Sequence, residues 1–488
     1  MPNILKILIN TTSYETRVAV IEDGVVQELK IERPSIKSLV GNIYKAKVVR
    51  VIPGMQAAFV DIGLDKNGFI HIDDIRNNSS TVDQLAKQLI EDRLYDGESI
   101  WVQVSKDPFS DKGARLTTRL SVSTRYLVYL PLSENISVSN KITSKSEQAR
   151  LVESVCQSQL NLSMSGGFIV RTSAKNIADN VIQDDMSFLQ NIWKGVSKAG
   201  EANTTISLVH KEASLLIRTL RELKPELVES IWIDSQESFN LAKKYSVDCF
   251  PELQSKIYFY TKDKPIFAED LVEQQIQASL KPIVKLDNGG HLIIEQTAAM
   301  ATIDVNTGSY VGNKDHTETV LNVNLVAAKE VARQISLRNL CGIIVVDFID
   351  MIETQHQKRV LKTLASCLAT DKVTTSHSQF SSLGLIEISR QRTDENLEQL
   401  MCVKCNVCEG QGLVKSNETL CYEIFRDILR QHTQFKASSY TITTSSEIMK
   451  ILEDEEKHGL IDLQKLINVP INLVLDQHYD RQYNIALN

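Results

Sequence analysis

The chain has 488 residues, 42% of them hydrophobic and 24% charged, with 54 Lys+Arg against 61 Asp+Glu and a formal net charge of −7. This is ordinary globular usage: it excludes a disordered, collagen-like or coiled-coil protein, and the length allows roughly 3 to 5 domains. Taken at face value, the acidic balance argues against a nucleic-acid partner and for a plain acidic cytosolic protein.

The N-terminal apolar residues Ile4, Leu5, Ile7, Leu8 and Ile9 are interrupted by Lys6 and followed by polar Asn10–Thr12. That is too little for a signal peptide. No stretch approaches the ~20 apolar residues of a membrane helix, so a reducing cytoplasm is the expected compartment. The first 36 residues read as two strands, Lys6–Asn10 and Thr16–Ile21, and a turn at Glu22–Gly24. From Gly41 to about Arg119 the pattern is all-β. Its strands include Tyr44–Ile52, Ala57–Asp61, Gly68–His71 and Ser99–Val104, punctuated by Pro53-Gly54 and Gly63. Five short strands in so short a stretch suggest an OB-fold barrel.

Residues 121–213 read as mixed α/β, with a helix at Glu147–Leu160 and a strand around Gly167–Thr172. A charged helix at Lys211–Leu223 opens the stretch 214–280, followed by a strand at Ile231–Asp234 and a second helix. Residues 281–400 alternate: strands Leu292–Gln296 and Met300–Val305, helix Val320–Ile335, a buried strand Gly342–Phe348, helix Gln357–Leu368 and strand Leu385–Ser389. That alternation indicates a layered α/β domain. Residues 416–488 read as α with some β, around a helix at Thr419–Arg430.

Two acidic segments stand out. In MATIDVNTG (300–308), an extended Met300–Asn306 puts Asp304 and Asn306 on one face, because strand side chains alternate with period 2. In CGIIVVDFIDM (341–351), Asp347 ends an apolar run, the usual place for site residues in α/β sheets. Two carboxylates and a carboxamide there suit one Mg²⁺ that keeps several waters. The plainer reading of such residues is a helix cap or a turn, and Asp350 is expected to cap the following helix.

Five of the eight cysteines, Cys156, Cys249, Cys341, Cys367 and Cys421, read as small buried core residues. Cys402, Cys405 and Cys408 form overlapping C-x-x-C units with Gly410 and Gly412 behind them. A structural zinc needs four ligands, so two Cys from each of two protomers would complete a site; three Cys plus a His of one chain is the other arrangement. A thioredoxin-like redox motif is disfavoured because no βαβ pattern is visible around the cysteines.

Charge is segregated. Residues 33–60 carry Arg33, Lys37, Lys45, Lys47 and Arg50 and net +5. Residues 101–126 carry Lys106, Lys112, Arg115, Arg119 and Arg125 and net +3, while residues 447–480 net −5. Phe59 and Phe69 lie among the basic strands. Cations with aromatic platforms suit single-stranded RNA; the plainer reading places both rings in the core.

These residues resemble the bacterial ribonuclease E/G family. The resemblance rests on AAFVDIG (57–63), GFIVRT (167–172), TIDVNTG (302–308), ETVLNVNLVAAKEVARQI (318–335), GIIVVDFIDM (342–351), SRQR (389–392) and the cysteine segment. It covers about residues 1–430, and the chain's short C-terminal region favours the family's G type over the long-tailed E type. The resemblance implies a multidomain α/β fold. Residues 1–36 and 214–280 would be an RNase H-like domain, 37–120 an OB-fold barrel inserted in it, and 121–213 a 5′-sensor domain. Residues 281–400 would be a DNase I-like catalytic domain, 401–415 a zinc-link, and 416–488 a small C-terminal α+β dimerisation domain.

The function implied is Mg²⁺-dependent endonucleolytic cleavage of single-stranded A/U-rich RNA, stimulated by a 5′-monophosphate and leaving 5′-phosphate ends. Its role would be rRNA 5′-end maturation and mRNA decay by a cytoplasmic homodimer. By the same resemblance, Asp304 and Asp347 are the Mg²⁺ ligands and Asn306 orients the metal or the phosphate. Phe59, Phe69, Lys106 and Lys112 bind RNA, Arg171 and Thr172 hold the 5′-phosphate, and Cys405 and Cys408 hold a Zn²⁺ shared between protomers, with Cys402 a bystander. The chain departs from the family pattern at Asn406 (usually Pro), Ala298 (commonly acidic) and Thr374 (Arg in E-type relatives). A competing reading is a non-catalytic RNA-binding protein that uses only the OB fold and the 5′-phosphate pocket; a third is a zinc-organised structural dimer.

Overall fold

The computed structural model describes residues 4–33, 38–76, 89–108, 112–202, 205–308, 316–393, 395–435, 437–476 and 483–488. Lys37, Asp111 and Asp480 of the charged stretches lie outside the described residues. The chain forms two compact units, 1–400 and 401–488.

In the first unit, a five-stranded mixed sheet has the order Ile257–Phe259, Val228–Ile233, Leu5–Thr11, Thr16–Glu22, Val25–Glu32. The last strand is one that local pattern reading misses. Asp23 and Gly24 both take positive φ, 49° and 79°, which is the two-residue Asp-Gly turn that favours a tight hairpin. The chain therefore doubles straight back after Glu22. The helix expected from Lys211 starts later, at Leu215. Before it, Ser207–His210 is a strand and the Glu212 amide donates to Asn42 Oδ1 (2.8 Å), so the chain stays extended.

The barrel runs in the order Ile43–Ile52, Ala57–Asp61, Gly68–His71, Arg115–Thr117, Ser99–Lys106, and the last strand pairs back with the first to close it. Ser207–His210 adds to the outside of Ile43–Ile52. Val48, Val60, Ile70, Val102, Val104 and Leu116 fill the interior.

A four-stranded sheet follows, in the order Ile136–Val138, Gly167–Val170, Leu127–Leu130, Val122–Ser123. Helices Lys145–Leu162 and Asp179–Ala202 pack with it. Ser144 caps the first helix, accepting from the Glu147 amide. The second buries Ile182, Met186, Leu189 and Val196, one apolar stripe at helical spacing.

The third sheet has the order Ile283–Lys285, His291–Gln296, Met300–Asn306, Gly342–Asp347, Leu385–Arg390, Thr375–His377. Only Met300–Asn306 and Gly342–Asp347 run parallel. Helices His316–Leu337 and Thr354–Leu368 share a core with Ala301, Ile303, Val305, Ile344 and Val346. The other face is open: Ile343 is 51% exposed and Asp304 and Asp347 are exposed. This corrects the expectation that Gly342–Phe348 is a buried strand: Ile344 and Val346 are buried, while Ile343 and Asp347 are exposed and Val345 is half-buried on the other face. It also corrects Asp350. Helix Thr354–Leu368 starts four residues beyond it, with Glu353 at the cap position.

The second unit is a three-stranded sheet, Ile471–Leu475, Tyr440–Thr444, Tyr483–Leu487, with helix Asn417–Gln434 and the crossover helices Ser446–Glu453 and Lys457–Ile467. Tyr440–Thr444 and Ile471–Leu475 are parallel, so a β-α-α-β crossover exists here after all. Cys402, Cys405 and Cys408 lie upstream of it, before the helix that Ser416 caps. Of the five cysteines expected in the core, Cys421 is buried and Cys249, Cys341 and Cys367 are half-buried. Cys156 is exposed instead, because it follows the buried Val155 and the next residue on a helix lies about 100° further round.

Candidate functional site

Parallel pairing of Met300–Asn306 with Gly342–Asp347 sets Ile303 against Val346 and Asp304 against Asp347. The buried residues Ala301, Ile303, Val305, Ile344 and Val346 fix that register, since a one-residue slip would turn every apolar side chain outward. The two carboxylates therefore stand on adjacent strands of the open face. Asn306 is on the same face, and its Nδ2 donates to Asp304 Oδ2 at 2.7 Å. The strand ends at Asn306, and the chain turns at Gly308. That residue has φ 58°, and a Cβ there would meet the Gly289 carbonyl at 2.4 Å, so only glycine fits.

Burial, then the charges of Asp304 and Asp350, push the Asp347 carboxyl up from its ordinary value. Asp350 thus acts on this site electrostatically. Among the described residues no group of three or more His, Cys, Asp or Glu is gathered tightly enough to hold a metal. The set here is a carboxylate pair with an amide beside it.

The barrel surface carries a row that crosses four strand boundaries. Arg50 pairs with Phe59, Phe59 with Phe69, Phe69 with Arg115, and Arg115 with Lys106. Phe59 is 38% exposed and belongs to no core. The two rings meet edge-on, 6.2 Å apart. Lys106 and Lys112 are exposed. Arg50 and Arg115 are the members that sequence reading did not attach to the aromatics, because their alignment arises only from strand pairing. Other cations of the basic stretches serve structure. Arg33 bonds Glu15 and the Leu400 carbonyl, Lys45 Nζ donates to the Gly200 carbonyl (3.3 Å), and Arg125 is buried over Tyr126 and Phe250.

Arg171 and Thr172 follow the strand Gly167–Val170. The Arg171 amide donates to the Tyr126 carbonyl (2.8 Å) and its Nη1 to the Thr124 carbonyl (2.7 Å). Thr172 Oγ1 meets Ser139 Oγ at 2.9 Å. Burial and the neighbouring Arg221 lower the Arg171 guanidinium from its ordinary value. Arg171, Thr172, Ser139, Lys141, Lys106 and Thr374 all line one cavity of about 3070 Å³ in the first unit; Asp304 and Asp347 do not.

In the second unit, Cys405 and Cys408 stand three residues apart in the turn before helix Asn417–Gln434. The amides of Cys408 and Val407, then the Cys408 thiol, lower the Cys405 thiol from its ordinary value. Cys402 is exposed.

A model of the Ribonuclease E/G family matches residues 121–393, a model of the S1 RNA binding domain residues 38–108, and one described as the RNase E/G thioredoxin-like domain residues 404–486. Ribonuclease G of Escherichia coli (strain K12) is 39% identical over 491 residues, which span 99% of both chains. Ribonuclease G of Haemophilus influenzae (strain Rd) is 40% identical over 487 residues, 98% of each. Ribonuclease E of Escherichia coli (strain K12) is 33% identical over 437 residues, 88% of this chain and 41% of that one. No helix among the described residues is long and apolar enough to cross a membrane. The chain belongs to the Ribonuclease E/G family and is an endoribonuclease.

Proposed function

We propose that the chain is a Mg²⁺-dependent endonuclease for single-stranded A/U-rich RNA, stimulated by a 5′-monophosphate, and that it acts in rRNA 5′-end maturation and mRNA decay. The observation that carries this reading is the in-register pair Asp304 and Asp347 with Asn306 on the same open face. Two like charges on neighbouring strands disfavour each other, and a divalent cation is the partner that resolves the conflict. Asp304 and Asp347 would hold it. Bound there, Mg²⁺ supplies a polarised phosphate oxygen and a water of lowered pKa.

The chain's own groups do the rest. Asn306 fixes the Asp304 carboxylate by its hydrogen bond and keeps its carbonyl oxygen free to orient water or a phosphate-bound group. Phe59 and Phe69 offer ring surface to bases, while Arg50, Lys106 and Lys112 follow the phosphate backbone. Arg171 and Thr172 hold a terminal phosphate, a guanidinium fork beside a hydroxyl.

In domain terms, we assign residues 1–36 and 214–280 to an RNase H-like domain, 121–213 to the 5′ sensor and 281–400 to a DNase I-like catalytic domain. Cys405 and Cys408 provide half of a tetrahedral Zn²⁺ site, completed by the same pair of a second copy. The test is cleavage of 5′-monophosphorylated A/U-rich RNA with Mg²⁺ by wild type, Asp304→Asn and Asp347→Asn. The variants should be silent; cleavage at the wild-type rate would refute the assignment.

A further inference from the structure

Resting on the reading of Arg171 and Thr172 as the 5′-phosphate pocket, we infer that Asp185 and Thr124 are positioning residues for that pocket. The pocket hangs on consecutive carbonyls of one short corner. Thr124 accepts from Arg171 Nη1 (2.7 Å), Arg125 from Ser173 Oγ (2.5 Å) and Tyr126 from the Arg171 amide (2.8 Å). The preceding carbonyl, of Ser123, accepts from Arg221 Nη1 (2.9 Å). The direction of the Arg171 fork is thus set by the corner 123–126 and not by its own strand.

That corner is held from behind by one carboxylate. Asp185, on helix Asp179–Ala202, accepts from Thr124 Oγ1 at 2.5 Å, and the backbone amides of Tyr126 and Leu127 act on the same carboxyl from the corner. The Thr124 side chain is buried, and its hydroxyl also faces the Leu127 carbonyl (3.1 Å). A buried carboxyl that holds a corner of the chain is costly to replace by a group that offers fewer acceptors. Burial pushes the Asp185 carboxyl up to about 7, while the Thr124 hydroxyl and the Arg171 guanidinium across the corner oppose that rise. Asp185 therefore sets where the guanidinium sits without touching RNA, and misplacing a bidentate clamp by a fraction of an ångström lowers its contribution.

The experiment compares kcat and KM on one A/U-rich RNA carrying either a 5′-monophosphate or a 5′-hydroxyl. The enzymes are wild type, Asp185→Asn, Thr124→Val, Thr124→Ser and Arg171→Ala. Asp185→Asn and Thr124→Val should cut the 5′-monophosphate advantage in kcat/KM on the order of tenfold, through KM, with the 5′-hydroxyl substrate unchanged. Thr124→Ser, which keeps the hydroxyl, should retain the advantage. A merely structural role would lower kcat on both substrates alike, and that result overturns the inference. If Arg171→Ala loses the advantage while Asp185→Asn and Thr124→Val keep it, the positioning role fails and the pocket reading stands. If Arg171→Ala keeps it, both fail.

Discussion

Replacing Asp347 by Asn should abolish cleavage and, without metal, stabilise the fold. Asp304 and Asp347 face each other in register on adjacent strands, whose backbones lie about 4.8 Å apart. Two carboxylates at roughly that distance repel by about 1 kcal/mol at the dielectric of water. Asp347 is exposed, so screening trims the net gain to about 0.5 kcal/mol, the size typical of an exposed charge pair.

The sign follows from the raised carboxyl of Asp347. Its protonated form is favoured in the folded chain. The wild type has the full benefit below the ordinary carboxylate range and loses it as pH rises through the elevated value. Asn never ionises, so the variant's advantage is absent in acid and complete at neutral pH.

Mg²⁺ reverses the ranking. Binding at tenfold over its Kd stabilises the wild type by about 1.4 kcal/mol and the variant by little. The assay is urea unfolding at pH 7 with EDTA or with MgCl₂, paired with RNA cleavage. A variant less stable than wild type in EDTA would refute the repulsion argument. A wild type that gains nothing from Mg²⁺ would refute the metal site.

Three further outcomes are expected. Phe59→Ala should raise KM for single-stranded RNA by the equivalent of about 1–3 kcal/mol of lost stacking while leaving the urea midpoint unchanged, since the ring lies outside the barrel core; an unchanged KM would remove it from the RNA face. Gly200→Ala should cost about 1–3 kcal/mol, because a Cβ there would lie 1.9 Å from the Trp101 ring; a wild-type unfolding midpoint would show that the ring can yield. Cys405→Ser with Cys408→Ser should release zinc and convert a dimer to monomers; unchanged metal content and light-scattering mass would refute the shared site.

Much of the fold was legible because local pattern and tertiary demand agree. The alternating runs at Met300–Asn306 and Gly342–Asp347 appear as strands within a residue of their expected ends, and the barrel strands at Ala57–Asp61 and Gly68–His71 match outright. The misses arose where distant chain decides. The strand Ser207–His210 exists because it adds to Ile43–Ile52, a partner far away in sequence. The open face of the sheet that carries Asp304 and Asp347 was hidden for a similar reason: Ile343 and Val345 are as apolar as Ile344 and Val346, and only the placement of two helices decides which pair is covered. At the site, the family motif supplied residue types. Pairing supplied what they do together, including the alignment of Arg50 and Arg115 with two phenylalanines.

The net charge of −7 is a poor guide to partners here because cations differ in what they are already committed to. Arg33 is tied to Glu15, Lys30 to Glu28 and Glu222, Arg218 to Glu32, and Arg390 to Asp371. Each such pair cancels within the fold and contributes almost no field outside it. Lys106 and Lys112 are exposed on the barrel, and Arg50 is exposed beside Phe59. RNA affinity depends on the phosphates that such cations neutralise, one counterion release at a time, and not on the whole-chain sum. The acids segregate in turn. Several belong to the second unit, on the helices Ser446–Glu453 and Lys457–Ile467 and the turn between them, and two, Asp304 and Asp347, stand opposite each other on adjacent strands. An acidic chain can therefore carry an RNA-binding face, because its positive charge is left exposed on the barrel and its negative charge is spent elsewhere.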